Sequence, residues 1–350
     1  MRSVSASPVT ASVIQLIERL QARLTLRLDD IIAARVVDGA PLKRVEWLRR
    51  GGASGGGVRF ETAGTSVFNR ASVNMSHVHY ADEQGPQRSA TALSSIIHPQ
   101  LPVAPSLHLH ISFTETRGAP GTWRLMADLN PSIENAAHTA RFRTAIVDVL
   151  TRFGGAELAA SAVAQGDRYF FIPALQRHRG VFHTYVENHH TSDTHKDLEL
   201  ARVFGNVAID TYTNIVAETL ASSTDTMSID EQRKAQLAYH TTYLFQVLTL
   251  DRGTTSGLLV HDENDVGTMG SLPGFVDRDL LASWAPLVPP VQRSLVEQLV
   301  AVLPAEVPTP VDSATRLALA QVVRAHYTKH PEALDLQARG DVVSPSPLRA

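Results

Sequence analysis

The alternation of polar and apolar residues from His108 to Ser112 constrains the fold of this chain more than any other feature of its sequence. It reads His108-Leu-His110-Ile-Ser112. On a β-strand, successive side chains point to opposite faces, so the two imidazoles and the hydroxyl would share one face. This grouping predicts the floor of a functional site rather than core packing.

The surrounding sequence predicts both strands and helices. Residues 58–130 show further strand-like alternation, with a hairpin turn at residues 118–121, and another strand is predicted within residues 248–259. Ser228 and Glu231 have the spacing of a helix-capping box. Apolar residues recur at helical spacing in residues 10–37, 134–153, 196–221, 229–248, 291–303 and 313–327. Because strands and helices do not alternate regularly, the pattern favours an α+β fold over a doubly wound parallel sheet.

The segment boundaries predict one main domain. We expect residues 1–9 and 340–350 to be disordered, because they are terminal and rich in small or polar residues. Residues 10–304 would form a single domain. Residues 305–350 would be a C-terminal extension with one helix and a disordered tail, joined through a proline-rich linker at residues 307–310.

Composition excludes several classes of function. The net charge is -3, whereas nucleic-acid surfaces are normally basic. The absence of cysteine excludes disulfides, iron–sulfur clusters and a cysteine nucleophile. No apolar run is long enough to span a bilayer, and the N-terminus lacks the apolar segment of a signal peptide, so we expect a cytoplasmic protein. The 15 histidines stand out, because many of them cluster between His77 and His195.

Three segments follow one another in a recognisable order. They read Ser94-Ser-Ile-Ile-His98-Pro99, then Val103-Ala-Pro-Ser-Leu-His108-Leu-His110-Ile-Ser112-Phe113, then Leu125-Met-Ala-Asp128-Leu-Asn-Pro131. They resemble Ser-Leu-Val-x-His-Pro, Val-Pro-Thr-x-His-x-Asn-x-Arg-x-Phe and Gly-Gly-Gly-x-Asp-Leu-Thr-Pro of the oxygen-dependent coproporphyrinogen III oxidases. The resemblance covers roughly residues 10–304. It implies a large antiparallel sheet covered by helices on both faces, and a homodimer.

The resemblance also implies an activity. That family oxidatively decarboxylates two propionates of a porphyrinogen to vinyl groups, with molecular oxygen as co-substrate and without flavin or haem. Asp128 matches an aspartate that would accept pyrrole N–H bonds, and His108 matches a general acid/base and metal ligand. Ser94 and His98 also match family positions. Each of these residues also has a purely structural alternative. Asp128 could be a turn or cap residue, His108 a hydrogen-bonded strand residue, and His98 a turn residue before Pro99.

Departures from the family pattern fall on functional positions. Ser112 stands where the family has arginine, His110 where it has asparagine, and Asn264 where it has a second arginine. Arg124, Leu125 and Met126 replace the three glycines. Each lost charge-assisted contact is worth about 1.5–3 kcal/mol, so a polycarboxylate should bind less well here.

Three functions remain open. The first is an oxygen-dependent oxidative decarboxylase with a rebuilt site, acting on a smaller or less anionic substrate such as a pyrrole, an indole or an amino-acid-derived acid. His108 and Asp128 would be catalytic. Substrate would be bound by Ser94, His110, Ser112 and Arg252, although Arg252 could instead pair with Asp251. A metal (Fe, Cu, Mn or Zn) would be held by His98, His108 and His110, and metal-free chemistry is equally open.

The second function is that of a genuine coproporphyrinogen III oxidase, in which other arginines replace the missing pair. The candidates are Arg49, Arg124, Arg179 and Arg252. The third is a non-catalytic relative that binds a tetrapyrrole.

Overall fold

A seven-stranded antiparallel sheet forms the centre of the protein, in the order β1-β2-β3-β4-β5-β6-β9. The computed structural model describes residues 7–37, 39–80, 85–222, 227–260 and 262–338. The strands are β1 (Lys43–Leu48), β2 (Gly55–Ala63), β3 (Phe68–His79), β4 (Gln87–Pro99), β5 (Ser106–Thr116), β6 (Thr122–Asn130), β7 (Phe171–Ile172), β8 (Arg177–His178), β9 (Phe182–His189), β10 (Phe275–Val276) and β11 (Thr309–Pro310). The pairs β7–β8 and β10–β11 form two small separate sheets.

Helices follow the chain before, within and after the main sheet. The α-helices are α1 (Pro8–Ala33), α2 (Ala136–Phe170), α3 (Thr194–Ser222), α4 (Ile229–Thr249), α5 (Arg252–Val260), α6 (Asp265–Thr268), α7 (Arg278–Ser283), α8 (Pro290–Val302) and α9 (Ser313–Lys329). No helix in the described ranges is both long and apolar enough to cross a membrane.

The two faces of the main sheet differ in character. One face is apolar, with residues such as Leu109, Ile111 and Leu125, and it packs against α1, α2 and α3 in one core. The other face carries His108, His110 and Ser112, and it is partly covered by α4 to α9, whose own core includes Ile96 from the sheet. The predicted α+β fold, with helices on both faces of a large antiparallel sheet, is confirmed.

Several local predictions also agree with the structure. The turn at residues 118–121 joins β5 to β6. The capping box begins α4, because Ser228 Oγ accepts a hydrogen bond from the Glu231 amide, and the Glu231 carboxylate accepts one from the Ser228 amide at 3.0 Å. These polar contacts satisfy amides that the first helical turn leaves without partners.

Other predictions are wrong. The strand predicted within residues 248–259 is the end of α4 followed by α5, because the Asp251 carboxylate accepts from the Thr254 amide at 2.7 Å and begins a new helix. Helix α2 does not end near residue 153. It continues past Gly155, whose φ of 73° allows the change of direction. At the N-terminus, helix α1 begins at Pro8, so the disorder predicted there does not reach residue 9; residues 1–6 and 339–350 lie outside the described residues.

The C-terminal extension joins the second core through α9. Leu319, Ala320 and Val323 are fully buried in that core. Arg324 forms a bidentate ion pair with Asp265, in which Nη1 lies 2.8 Å from Oδ2. Helix α9 therefore helps to hold α5, α6 and α8 over the polar face of the sheet.

Candidate active site

Two side chains proposed as catalytic, His108 and Asp128, meet on the polar face of the sheet. They occupy directly opposed positions of β5 and β6, and His183 of β9 continues the same row. His108 Nδ1 lies 2.7 Å from Asp128 Oδ1. The side chain of Asp128 is fully buried, whereas that of His108 is 18% exposed. Within this pair, only the imidazole can therefore reach a ligand.

A buried cation holds the other side of the Asp128 carboxylate. Arg179 Nη2 donates to Asp128 Oδ2, and Arg179 Nη1 donates to Gln246 Oε1 at 2.7 Å. Asn130 Nδ2 donates to the same Oδ2 at 3.0 Å. The guanidinium also lies 4.2 Å from the centre of the Phe170 ring. Asp128 is therefore held in place from three directions.

This environment keeps Asp128 ionised. Burial by itself raises the pKa of Asp128, but His108 and Arg179 more than offset that effect and lower the pKa below its usual value. A carboxylate that stays charged can accept a hydrogen bond from His108 Nδ1, which leaves Nε2 as the ring nitrogen available to a substrate proton. The arrangement can therefore transfer a proton at His108 Nε2 and stabilise positive charge that develops nearby.

A second polar group runs beside this pair on the same face. His110 Nδ1 lies 2.9 Å from Ser94 Oγ, and His110 Nε2 lies 2.9 Å from Ser112 Oγ. Burial, followed by the charges of Arg124 and His108, lowers the pKa of His110 to about 3. His110 is therefore neutral at physiological pH. The three side chains form a row of donors and acceptors that could orient a polar substrate.

An arginine lies beside each of the two positions where the resemblance implies a lost arginine. Arg124 of β6 stands directly opposite Ser112 of β5, and Arg59 of β2 places Nη1 3.5 Å from Asn264 Oδ1. Each arginine already has an acidic partner. Arg124 Nη2 lies 2.8 Å from Glu187 Oε1, and Arg59 Nε lies 2.6 Å from Glu61 Oε2. The positive charges are present, but they are largely neutralised.

The histidines proposed as metal ligands are not assembled into a ligand set. His98 lies inside β4 rather than in a turn, and its side chain is fully buried. Its Nδ1 lies 2.9 Å from Ser106 Oγ and its Nε2 lies 3.2 Å from the Ser271 carbonyl. Both nitrogens of His110 also have hydroxyl partners. Across the described parts of the chain, no three His, Asp or Glu side chains are grouped so that they could hold a metal ion.

Arg252 occupies a different element from the other proposed substrate-binding residues. It begins α5 and is partly exposed. The described residues show no ion pair between Arg252 and Asp251, whose carboxylate accepts from the Tyr169 hydroxyl at 2.7 Å. The proposed role of Arg252 in substrate binding stays a prediction.

The partners of Asp128 were only partly accessible from the sequence. Arg179 is among the arginines that the sequence analysis considered as replacements for the missing pair, but its position along the chain gave no sign that it reaches Asp128. Asn130 stands two residues from Asp128 on the same strand, a spacing that places both on one face. Gln246 lies in the last turn of α4, where no pattern marks it.

The comparison with protein families agrees with this fold. The family model described as coproporphyrinogen III oxidase matches residues 12–304, which include the main sheet, His108, Asp128 and Arg179. The match ends before α9. The chain therefore belongs to the coproporphyrinogen III oxidase family, a family of oxidative decarboxylases.

Proposed function

We propose that this protein uses molecular oxygen to decarboxylate a substrate that is smaller or less anionic than coproporphyrinogen III. A pyrrole, an indole or an amino-acid-derived acid with a single carboxylate side chain fits this description. The observation that carries the proposal is the pairing of Arg124 with Glu187 and of Arg59 with Glu61 on the polar face. A substrate with four carboxylates would meet these two glutamates as well as the arginines.

The polar residues between His108 and Ser112 could bind a substrate that has a single acidic side chain next to an electron-rich ring. Asp128 and His108 lie about four residues along their strands from Ser112 and Arg124, which corresponds to roughly 13 Å between Cα atoms. Because Arg124 is already paired with Glu187, Ser112 could hold a single carboxylate at one end of that distance, while the ring lies near His108 at the other end. His110, Ser94 and Ser112 would orient the polar groups between them.

The proposed reaction balances with oxygen as the only oxidant. A propionate side chain loses carbon dioxide and one hydrogen from the carbon next to the ring, and a carbon–carbon double bond forms. The substrate gives up two electrons, which reduce oxygen to hydrogen peroxide with uptake of two protons, one of them from the substrate. His108 Nε2 would accept the proton that leaves the carbon next to the ring and pass it on to the reduced oxygen, and Asp128 would stabilise positive charge on His108 and on the ring. Because the histidines do not fit a transition metal, no step is assigned to one.

A genuine coproporphyrinogen III oxidase is the second candidate. The placement of Arg124 opposite Ser112 and of Arg59 beside Asn264 supports it, because a cation remains near each substituted position. The two candidates differ in whether the paired glutamates exclude a polycarboxylate.

An aerobic assay with carboxyl-labelled substrates tests the proposal. The substrates are coproporphyrinogen III, a monopyrrole propionate and an indole propionate, and the readouts are carbon dioxide, oxygen uptake and hydrogen peroxide. We expect oxygen-dependent release of carbon dioxide from a monocarboxylate, with one peroxide formed for each carbon dioxide. Conversion of coproporphyrinogen III alone would support the second candidate, and release of carbon dioxide without oxygen uptake would reject both.

A further inference from the structure

A large cavity lies away from the candidate active site, between the end of α1, the β2–β3 hairpin, the β10–β11 pair and the start of α9. Its volume is about 840 Å³, which is within the range of small-molecule sites. His108, Asp128, Ser94 and His110 do not line it. One wall is apolar and is formed by Ile32, Val36, Val67, Phe275, Pro310 and Val311.

Two buried arginines, Arg70 of β3 and Arg316 of α9, also line the cavity. They are 7% and 5% exposed. Arg70 donates to the carbonyls of Leu272 and Val311, each at 2.9 Å. Arg316 donates to the Val266 carbonyl at 3.2 Å and to Ser313 Oγ at 3.0 Å. All four of these acceptors are neutral.

Within the described residues, neither of these two arginines is held in a direct ion pair with a carboxylate, and the buried Nε of Arg316 has no hydrogen-bond partner. The two acidic residues in the lining act on these arginines only at longer range: Glu61 favours the charged form of both, and Asp312 that of Arg316. Their direct partners are other groups, because Glu61 pairs with Arg59 and Asp312 accepts from the Thr315 amide at the start of α9. Burial, followed by the charge of Arg316, lowers the pKa of Arg70 to about 10, as expected for neighbouring like charges.

A purely structural role explains only part of this arrangement. The bonds to carbonyls hold the C-terminal extension against the sheet. However, burying two neighbouring guanidiniums without a directly paired carboxylate is costly, whereas an anion in the adjacent cavity would reduce that cost. Planar guanidinium groups are well suited to binding carboxylate or phosphate.

We propose that this cavity binds a small organic anion, either a carboxylate or a phosphate monoester, whose apolar body rests against the wall that includes Val67 and Phe275. The anionic group would lie against Arg70 and Arg316. Arg316 lies outside residues 12–304, so the site depends on a part of the chain that the family match does not include. The proposal does not depend on the reaction at His108.

Calorimetric titration of the full chain with octanoate, octyl phosphate and the neutral 1-octanol tests this proposal. We expect one binding site per chain for at least one of the two anions, with affinity that falls as sodium chloride is raised, and much weaker binding of 1-octanol. Binding of octanoate alone or of octyl phosphate alone would support the proposal and identify the preferred anionic group. Binding of neither anion, or equal binding of 1-octanol, would overturn it.

Two variants with a matched control locate the site. Arg316→Gln should weaken anion binding on the order of 10- to 100-fold, whereas Arg233→Gln, at an exposed arginine of α4, should leave it unchanged. His108→Ala should also leave it unchanged, and loss of binding in that variant would assign the anion to the candidate active site and overturn the proposal. Unchanged binding in a folded Arg316→Gln protein would overturn it as well. If that variant does not fold, the salt dependence and the comparison with 1-octanol in the unmodified chain still decide.

Discussion

His108 Nδ1 and Asp128 Oδ1 are 2.7 Å apart, at directly opposed positions of two neighbouring antiparallel strands. Because Arg179 holds the other oxygen of the carboxylate, Asp128 can stay ionised although it is fully buried. The pair therefore has a fixed geometry before any substrate binds. This is the kind of preorganisation that proton transfer in an enzyme site requires.

Removing each member of the pair should have different consequences. His108→Ala should lower turnover by about 10²- to 10⁴-fold with little loss of stability, because the imidazole is partly exposed. Asp128→Asn should also lower turnover, and it should reduce the free energy of unfolding by about 3–5 kcal/mol because Arg179 loses its buried counter-charge. Carbon dioxide release and urea unfolding measure the two effects. Asp230→Asn, at an exposed position of α4, is the control. Near-normal turnover of His108→Ala would contradict the assignment.

Glu187 should limit the binding of polycarboxylates by neutralising Arg124. Glu187→Gln would free the positive charge of Arg124 and should lower the KM for coproporphyrinogen III about tenfold, the effect of roughly one charge-assisted contact. The corresponding change at the exposed Arg44–Glu46 pair, Glu46→Gln, should leave KM unchanged. Steady-state kinetics on both variants provide the test, and an unchanged or raised KM in Glu187→Gln would count against a neutralising role.

Acid should destabilise the protein through its buried histidines. Burial lowers the pKa of His240 to about 3, whereas an unfolded imidazole titrates near about 6.5. Between these values only the unfolded chain binds the proton, so stability falls as the pH drops, by about 1.4 kcal/mol per pH unit for this residue. The lowered pKa of Asp128 acts only below about pH 4, because its unfolded value is about 3.9.

Urea unfolding at about pH 7 and about pH 5 measures this effect. His240→Gln should reduce the loss of unfolding free energy between the two conditions by about 2 kcal/mol relative to the unmodified chain. His195→Gln, at an exposed position, should not reduce it. An equal loss in the His240→Gln and unmodified proteins would show that His240 is not the source.

Gly180 allows the close approach that brings Arg179 to Asp128. A Cβ atom there would clash with Asn130 Oδ1 and lie 2.6 Å from the Leu129 carbonyl oxygen. We expect Gly180→Ala to cost about 1–3 kcal/mol of unfolding free energy and to lower turnover, because Asn130 must move away from Asp128. Gly253→Ala in α5, where a Cβ meets nothing closer than 3.3 Å, should be neutral or slightly stabilising. If thermal unfolding shows the same stability for Gly180→Ala and Gly253→Ala, the close packing at Gly180 is contradicted.

The C-terminal helix α9 should contribute to global stability. Leu319→Ala removes a fully buried side chain and should cost about 2–5 kcal/mol, whereas Leu317→Ala, at a 41% exposed position of the same helix, should change little. Urea unfolding of the two variants checks this. Equal stability of both would mean that α9 unfolds separately from the rest of the protein.

The sequence predicted the parts of this protein that depend on local pattern. The alternation at His108, His110 and Ser112 predicted a strand with one polar face, because that pattern depends only on the geometry of a single strand. The pairing of Arg179 with Asp128 was not predictable in this way, because the two residues lie 51 positions apart and belong to different elements. Likewise, only the register of β5 against β6 shows that Arg124 stands beside Ser112.

The misplaced strand at residues 248–259 has a different cause. The threonine residues there favour a strand when taken alone, but Asp251 caps a helix and α9 packs against it. Contacts with a distant helix therefore decided the local structure.

The most direct test of the account compares two substrates in the same aerobic assay. The values of kcat/KM for a monopyrrole propionate and for coproporphyrinogen III are measured from carbon dioxide release, with and without oxygen. The account predicts oxygen-dependent release from both or from the monopyrrole alone, with the higher kcat/KM for the monopyrrole. A higher kcat/KM for coproporphyrinogen III would contradict the proposed change of substrate, and no release from either would contradict the proposed reaction at His108.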